Sequence, residues 1–170
     1  MLRLDLPRLE REGSRSFEIA VAPDDPLWEG GDLRFDGDVV VRGRATVSGT
    51  GEIVVRLEVE GTRVAECRRC LEAVRIPLKQ EMFFVFAEPD ESGAVEGSDL
   101  RPLAADAMTL ELGDVLREEL ILSTERWVEC RDDCAGLCPL CGVNRNEQTC
   151  DCSPVEPDPR WDALRALKSE

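Results

Sequence analysis

The sequence contains no histidine and no tyrosine. Without histidine it lacks the commonest general base and the usual activator of a serine or cysteine nucleophile. It also lacks the zinc ligand most often found beside cysteine. Any metal in this chain must be held mainly by sulfur, with Asp or Glu as the remaining choice. Aromatic residues are scarce, at 5%, so platforms for stacking nucleic-acid bases are few. Long apolar runs are missing too. No stretch approaches the roughly 20 apolar residues of a membrane helix. In residues 1–20, MLRLDLPRLEREGSRSFEIA, charges interrupt every apolar run, so no signal peptide is read and the expected compartment is the cytosol. Thiols stay reduced there, and clustered cysteines mean metal more often than disulfide. Positive charge is short as well: 21 Lys+Arg stand against 36 Asp+Glu, for a net charge of -15. Such a surface repels RNA and anionic membranes and attracts a basic protein. Solubility alone is the plainer reason for such a charge.

What is present suits one domain with a small appended part. The chain has 170 residues and is 42% hydrophobic, enough to bury a core without disulfides. The pattern predicts an α+β fold: an antiparallel β-sheet or partly open barrel over roughly residues 14–87, one packed helix, and a metal-stapled tail with a short final helix. We divide it into a mainly β core, 1–129, and a cysteine-rich tail, 130–170, packed on that core. Residues 14–21 alternate, with Phe17, Ile19 and Val21 on one face. Residues 22–31 hold Pro23, Pro26, Gly30 and Gly31 and read as a loop. In 38–48, Val39, Val41, Ala45 and Val47 share a face, and Gly43 is expected to mark a bulge. Gly49-Thr50-Gly51 turns the chain into a strand from Ile53 to Glu60. Gly61-Thr62 is expected to bend that strand or start another, reaching Glu66. A further strand over 71–87 carries the run Met82-Phe83-Phe84-Val85-Phe86, read as core. Residues 88–107 are acidic and rich in small residues and read as a long loop. A helix follows over 110–122, where Leu112, Leu116 and Leu120, with Val115, form an apolar stripe. Beyond the cysteines, Asp158 and Pro159 read as the start of a last helix, with Trp161, Leu164 and Leu167 at helical spacing.

Eight cysteines carry the chemistry. Cys138-Pro139-Leu140-Cys141-Gly142 has the form of a zinc knuckle. Two cysteines separated by two residues can face one ion, turn amides stabilise the thiolates, and the glycine allows the positive φ such a turn needs. Cys150 and Cys152 follow closely and could complete a tetrahedral site. Cys67-Arg68-Arg69-Cys70, with Cys130 and Cys134, forms the second group. If the cysteines act as four pairs, three partitions into two sites remain open. The grouping 138/141/150/152 is favoured because it closes the shorter loop. For Cys67 and Cys70 the rivals are a redox pair and two ordinary buried cysteines. A redox C-x-x-C normally opens a helix after a strand, whereas here a strand follows. An iron–sulfur cluster is also chemically open to four cysteines. Sites built wholly of sulfur are typically closed and structural, without the open position of catalytic zinc, so no hydrolase is expected.

The elements Cys67-Arg68-Arg69-Cys70-Leu71, the helix Leu112–Ser123 with its LREELILS core, the run CRDDCAGLCPLCGVNRNEQTCDC at 130–152 and the ending DPRWDALRAL at 158–167 resemble, in order and spacing, the YceD family. That family is named for accumulation of large ribosomal RNA subunits. The resemblance implies a part in large-subunit rRNA processing and ribosome assembly, without an enzymatic activity to carry over, and zinc that supports the fold. Three expectations follow. The first is an acidic, non-enzymatic adaptor that binds a basic ribosomal protein or an rRNA-processing factor. The second is an rRNA-binding zinc module using Arg68, Arg69, Arg131 and Arg145, although Asp132, Asp133, Glu147 and Asp151 dilute that patch and Trp127 is the only aromatic near it. The third is a thiol redox protein acting through Cys67 and Cys70.

Overall fold

The computed structural model describes residues 2–49, 51–89 and 100–153. It begins with a short strand β1 (Arg3–Asp5) and a helix α1 (Leu6–Glu12), followed by strand β2 (Ser14–Val21). A single 3-10 turn (Pro26–Trp28) leads to strand β3 (Val39–Val47). Two long strands come next, β4 (Ile53–Glu66) and β5 (Ala73–Ala87). Short strands β6 (Leu100–Pro102) and β7 (Thr109–Glu111) precede helix α2 (Gly113–Ser123). β2 to β6 lie in sequence order in one five-stranded sheet, and β1 pairs with β7 in a separate two-stranded ribbon. All neighbours are antiparallel except β5 and β6. The five-stranded sheet is therefore mixed rather than purely antiparallel, and it does not close into a barrel.

Period-2 alternation sets the layers. In β4, Ile53, Val55, Leu57 and Val59 are buried, while Arg56 and Glu58 between them face solvent. Met82, Phe84 and Phe86 of β5 continue the buried face. The opposite face is a charge ladder: Arg42 bonds Glu18 at 3.0 Å and Glu60 at 2.8 Å, and Arg56 bonds Glu81 at 2.5 Å. The buried face is covered by α2, through Leu116 and Leu120, and by α1, through Leu6 and Leu9. Trp28 joins the same core, packed against Phe35, with its indole N–H donating to Ala22 O at 2.9 Å.

Several expectations change here. The N-terminal segment, left without structure by the sequence reading, contributes Leu2, Leu4, Leu6 and Leu9 to the core. Its helix is locally encoded, since the Asp5 carboxylate caps Arg8 N at 2.8 Å and Pro7 sits in the first turn. Gly13 closes it at φ 72°. The expected bulge at Gly43 is absent, because Phe17, Gly43 and Leu57 stay in unbroken register across three strands. Glycine is needed there for room: a Cβ would lie 2.1 Å from Phe17 Cζ. Gly61-Thr62 does not break the strand, and β4 runs straight on to Glu66. Part of the expected 88–107 loop is strand β6, and helix α2 starts at Gly113 because residues 109–111 pair with β1. The final helix expected from Asp158 lies outside the described residues.

The β4–β5 hairpin extends past β3, whose pairing stops at Val40 with Glu60. The overhang is flanked by residues 34–36, with Asp36 N–H bonding Thr62 O at 2.9 Å and Val64 N–H bonding Arg34 O at 2.7 Å. It is tied to α2 by Arg63, a buried cation, which donates to Glu125 O at 2.9 Å just beyond the helix end, where a cation suits the helix dipole. The hairpin thus carries residues 67–72 to its far tip, against the tail. Gly43→Ala should force the Phe17 ring aside and cost about 1–3 kcal/mol, as overpacking does. Urea unfolding checks this, and Gly43→Ala combined with Phe17→Leu should recover part of the loss.

Candidate metal centre

The tip of the β4–β5 hairpin and residues 138–143 fold into the same turn. Cys67 N–H donates to Glu72 O at 2.8 Å and Leu71 N–H to Cys67 O at 2.9 Å. In the second turn Cys138 N–H donates to Val143 O at 2.8 Å and Gly142 N–H to Cys138 O at 2.9 Å. The residue after the second cysteine has positive φ in both, 64° at Leu71 and 74° at Gly142. This left-handed conformation turns the chain back so that both cysteines of the pair point inward. Glycine adopts it freely, whereas an L-residue pays roughly 1–2 kcal/mol.

Each turn meets a second pair of cysteines. The sulfurs of Cys67, Cys70, Cys130 and Cys134 all lie within 4.8 Å of one another, and so do those of Cys138, Cys141, Cys150 and Cys152. Of the three partitions left open by the sequence, the structure forms the one with the local grouping. Cys67 and Cys134 sulfurs are 3.9 Å apart, and Cys70 and Cys130 sulfurs 3.6 Å. Four sulfurs at about 2.3 Å from one tetrahedral ion would be about 3.8 Å apart. A disulfide needs about 2.05 Å. The first cluster therefore has sulfur spacings that suit a single ion, and each cluster could hold a metal ion.

The two sites differ in burial. Cys67 and Cys134 are fully buried and Cys70 nearly so, whereas Cys141 and Cys152 are exposed. The first site joins distant parts of the chain, and backbone bonds reinforce the joint. Arg68 N–H donates to Val128 O at 2.8 Å, and Leu137 N–H to Arg69 O at 2.9 Å.

Backbone amides and neighbouring sulfurs set the thiol acidities. Burial pushes the Cys67 thiol up, but amides of Cys70, Arg69 and Cys130 together outweigh it and bring it down to about 6. Amides of Cys141 and Leu140 bring Cys138 down to about 6 in the same way. Their neighbours move the other way. An amide from Glu72 pulls Cys70 down, yet burial and the sulfurs of Cys67, Cys130 and Cys134 leave it pushed up to about 12. Cys152 is pushed up to about 12, first by the Cys141 sulfur. Without a cation the first cluster favours thiolates at Cys67 and Cys134 and disfavours them at Cys70 and Cys130, and the second favours one at Cys138 and disfavours them at Cys150 and Cys152. A divalent cation is what allows four.

Three of the four arginines of the basic patch read from the sequence are engaged. Arg68 bonds Glu129 at 2.5 Å and lies over the Trp127 ring at 5.6 Å. Arg69 reaches the same carboxylate at 3.7 Å, and Arg131 is 3.5 Å from Asp133. Two features escaped the sequence reading. One is the positive φ at Leu71, signalled only by its position after C-x-x-C. The other is Asn146, whose Nδ2 donates to Cys134 Sγ at 3.4 Å.

Residues 55–168 match the family described as "Large ribosomal RNA subunit accumulation protein YceD". The chain belongs to the YceD family. It is also similar to proteins from Mycobacterium bovis and from two strains of Mycobacterium tuberculosis, whose names call them uncharacterized. Each is 30% identical over 176 residues, covering 96% of this chain and 79% of the relative. No solved structure matches. Among the described residues no helix is long and apolar enough to cross a membrane.

The thiol shifts give a sign for pH. Cys67 and Cys138 have folded values near 6, below the ordinary 9. Their contribution to stability is complete above pH 9 and is lost as pH falls through about 6. Chelator-treated protein should therefore show a higher urea midpoint at about pH 8 than at about pH 6. A flat or inverted profile would contradict the amide cradles.

Proposed function

We propose that this YceD-family chain is a cytosolic, non-enzymatic factor supporting large-subunit rRNA processing and accumulation, stapled by two structural zinc ions, that acts by binding a basic ribosomal protein or processing factor. The observation that carries the reading is the pair of all-cysteine clusters in a chain of this family. Cys67, Cys70, Cys130 and Cys134 would hold one ion, and Cys138, Cys141, Cys150 and Cys152 the other. Zinc suits four thiolates and tetrahedral spacing near 3.8 Å. An iron–sulfur cluster, being larger than one ion, would hold its ligands farther apart. Four protein ligands fill a tetrahedral ion, leaving no position for substrate, which favours a structural role. A redox role for Cys67 and Cys70 is disfavoured, since both converge on Cys130 and Cys134. Native mass spectrometry should find about two zinc ions per chain, and a persistent metal-free mass would remove this reading.

Charge and local exposure support a protein partner. The chain carries -15, and Arg68, Arg69 and Arg131 already face carboxylates, which leaves little positive field for RNA. Apolar side chains face solvent at and beside the first knuckle, Leu71 at 58% and Trp127, under Arg68, at 70% exposure. A groove of about 580 Å³ runs beside Leu71, floored by Leu33, Ile121 and Val128. Direct rRNA contact has one feature in its favour, the exposed Trp127 ring under Arg68. A tagged pull-down from bacterial lysate, with and without ribonuclease, separates the two. Large-subunit proteins should survive ribonuclease, weaken as salt rises, and be lost with Leu71→Gly, which relieves backbone strain and should leave the fold intact. Recovery abolished by ribonuclease would instead favour RNA contact.

A further inference from the structure

The loop that closes the second cluster also reaches into the first. Residues 142–149 separate Cys141 from Cys150, and within them Asn146 donates its side-chain N–H to Cys134 Sγ at 3.4 Å. The same amide is held at both ends. Its Oδ1 accepts Ala135 N–H at 2.8 Å, and its Nδ2 also donates to Asn144 Oδ1 at 2.7 Å. Asn144 Oδ1 accepts Asn146 N–H at 3.0 Å as well, and Asn144 Nδ2 donates to Glu72 Oε1 at 2.8 Å. The other carboxylate oxygen of Glu72 lies 3.7 Å from Cys70 Sγ. One loop, its ends fixed by cysteines of the second cluster, therefore touches the first cluster at Cys134 and, through Glu72, beside Cys70.

Backbone contacts keep that loop in place. Arg145 N–H donates to Gly136 O at 2.9 Å, and residues 137 and 144 form an isolated bridge. Gly136 sits so close to the first knuckle that a Cβ there would lie 3.0 Å from Arg69 O. The loop contains no helix or strand of its own, so its shape depends on whatever fixes its ends. Four thiols gathered without a cation hold those ends poorly, and an ion would clamp them.

Resting on the two-site metal reading above, we propose that the clusters form one coupled unit, in which an ion at Cys138/Cys141/Cys150/Cys152 tightens the ion at Cys67/Cys70/Cys130/Cys134, with Asn146 as the positioning residue between them. An N–H bonded to a ligating thiolate stabilises its charge and fixes its direction, and loss of such a partner typically costs 10–100-fold in metal affinity. Coupling between binding sites is reciprocal, so the buried ion tightens the exposed one by the same factor. The exposed sulfurs of Cys141 and Cys152 make the second site the one a chelator reaches first, and the buried site loosens once it is emptied.

Cobalt(II) loading of the full chain, followed through thiolate–metal absorbance with chelator competition, tests this. The unmodified chain should take two ions, with the buried site the tighter. Cys152→Ser should lower affinity at the buried site roughly 10–100-fold, and Asn146→Ala should do the same while keeping eight cysteines. The double variant should lose no more than either alone, because both remove the same link. Asn146→Asp removes the donor to Cys134 while keeping the acceptor for Ala135 N–H, so it should reproduce the loss. Unchanged buried-site affinity in Asn146→Ala and Asn146→Asp, or losses that add in the double variant, would overturn the coupling. A chain that takes no ion would instead sink the metal reading itself.

Discussion

Four thiolates cannot share a small volume without a cation among them, and the C-terminal third of this structure is arranged around that constraint. Between Glu125 and Ser153 there is no helix and no strand beyond one isolated bridge. The apolar core proper ends at α2. Beyond it the buried cluster consists of Cys67, Cys70 and Cys134, with Val74 and Cys130 packed against it. Such a group buries too little to fold a segment of this length unaided. Sulfur replaces leucine there because it can bind an ion as well as pack. The long β4–β5 hairpin makes sense in this light. Its overhang past β3 adds little to the main core, but it delivers Cys67 and Cys70 to the tail.

The parts legible in the sequence were those with a local period. Alternation placed β2, β3 and the buried face of β4, and the stripe Leu112, Leu116, Leu120 placed α2, because one-sided burial imposes those spacings. The cysteine pairs were legible from spacing, but their partition depended on which strands meet at the hairpin tip, a three-dimensional fact. β1 and α1 were missed because their apolar residues change period within ten positions, from Leu2 and Leu4 on a strand to Leu6 and Leu9 on a helix. The glycines misled for a different reason. Gly43 reads as a break, yet it stays in register and lends its missing side chain's space to the Phe17 ring.

The charge of the molecule also differs from its local pattern. A surplus of acids suggests an evenly negative surface, but the open sheet face alternates in sign, and the arginines beside the first cluster are matched to carboxylates. Arg68 serves three neighbours at once: its backbone N–H holds Val128, its guanidinium holds Glu129, and its plane lies over Trp127. A residue so committed orders the segment that leads to Cys130 and has little left to offer a phosphate.

The two knuckles act as an internal control on one residue. They share hydrogen bonds, cysteine spacing and the positive φ that follows, so a single backbone demand is met by Gly142 in one and Leu71 in the other. Folding explains the glycine and leaves the leucine unexplained. The left-handed conformation costs a leucine roughly 1–2 kcal/mol, and the side chain recovers little by burial, since more than half of it faces solvent. Nor does the metal geometry call for it, because Gly142 satisfies the same geometry. What remains is the surface it creates, an apolar side chain held out between a groove and an exposed tryptophan, on the hairpin that Arg63 ties to the end of α2 and whose cysteines meet those of the tail.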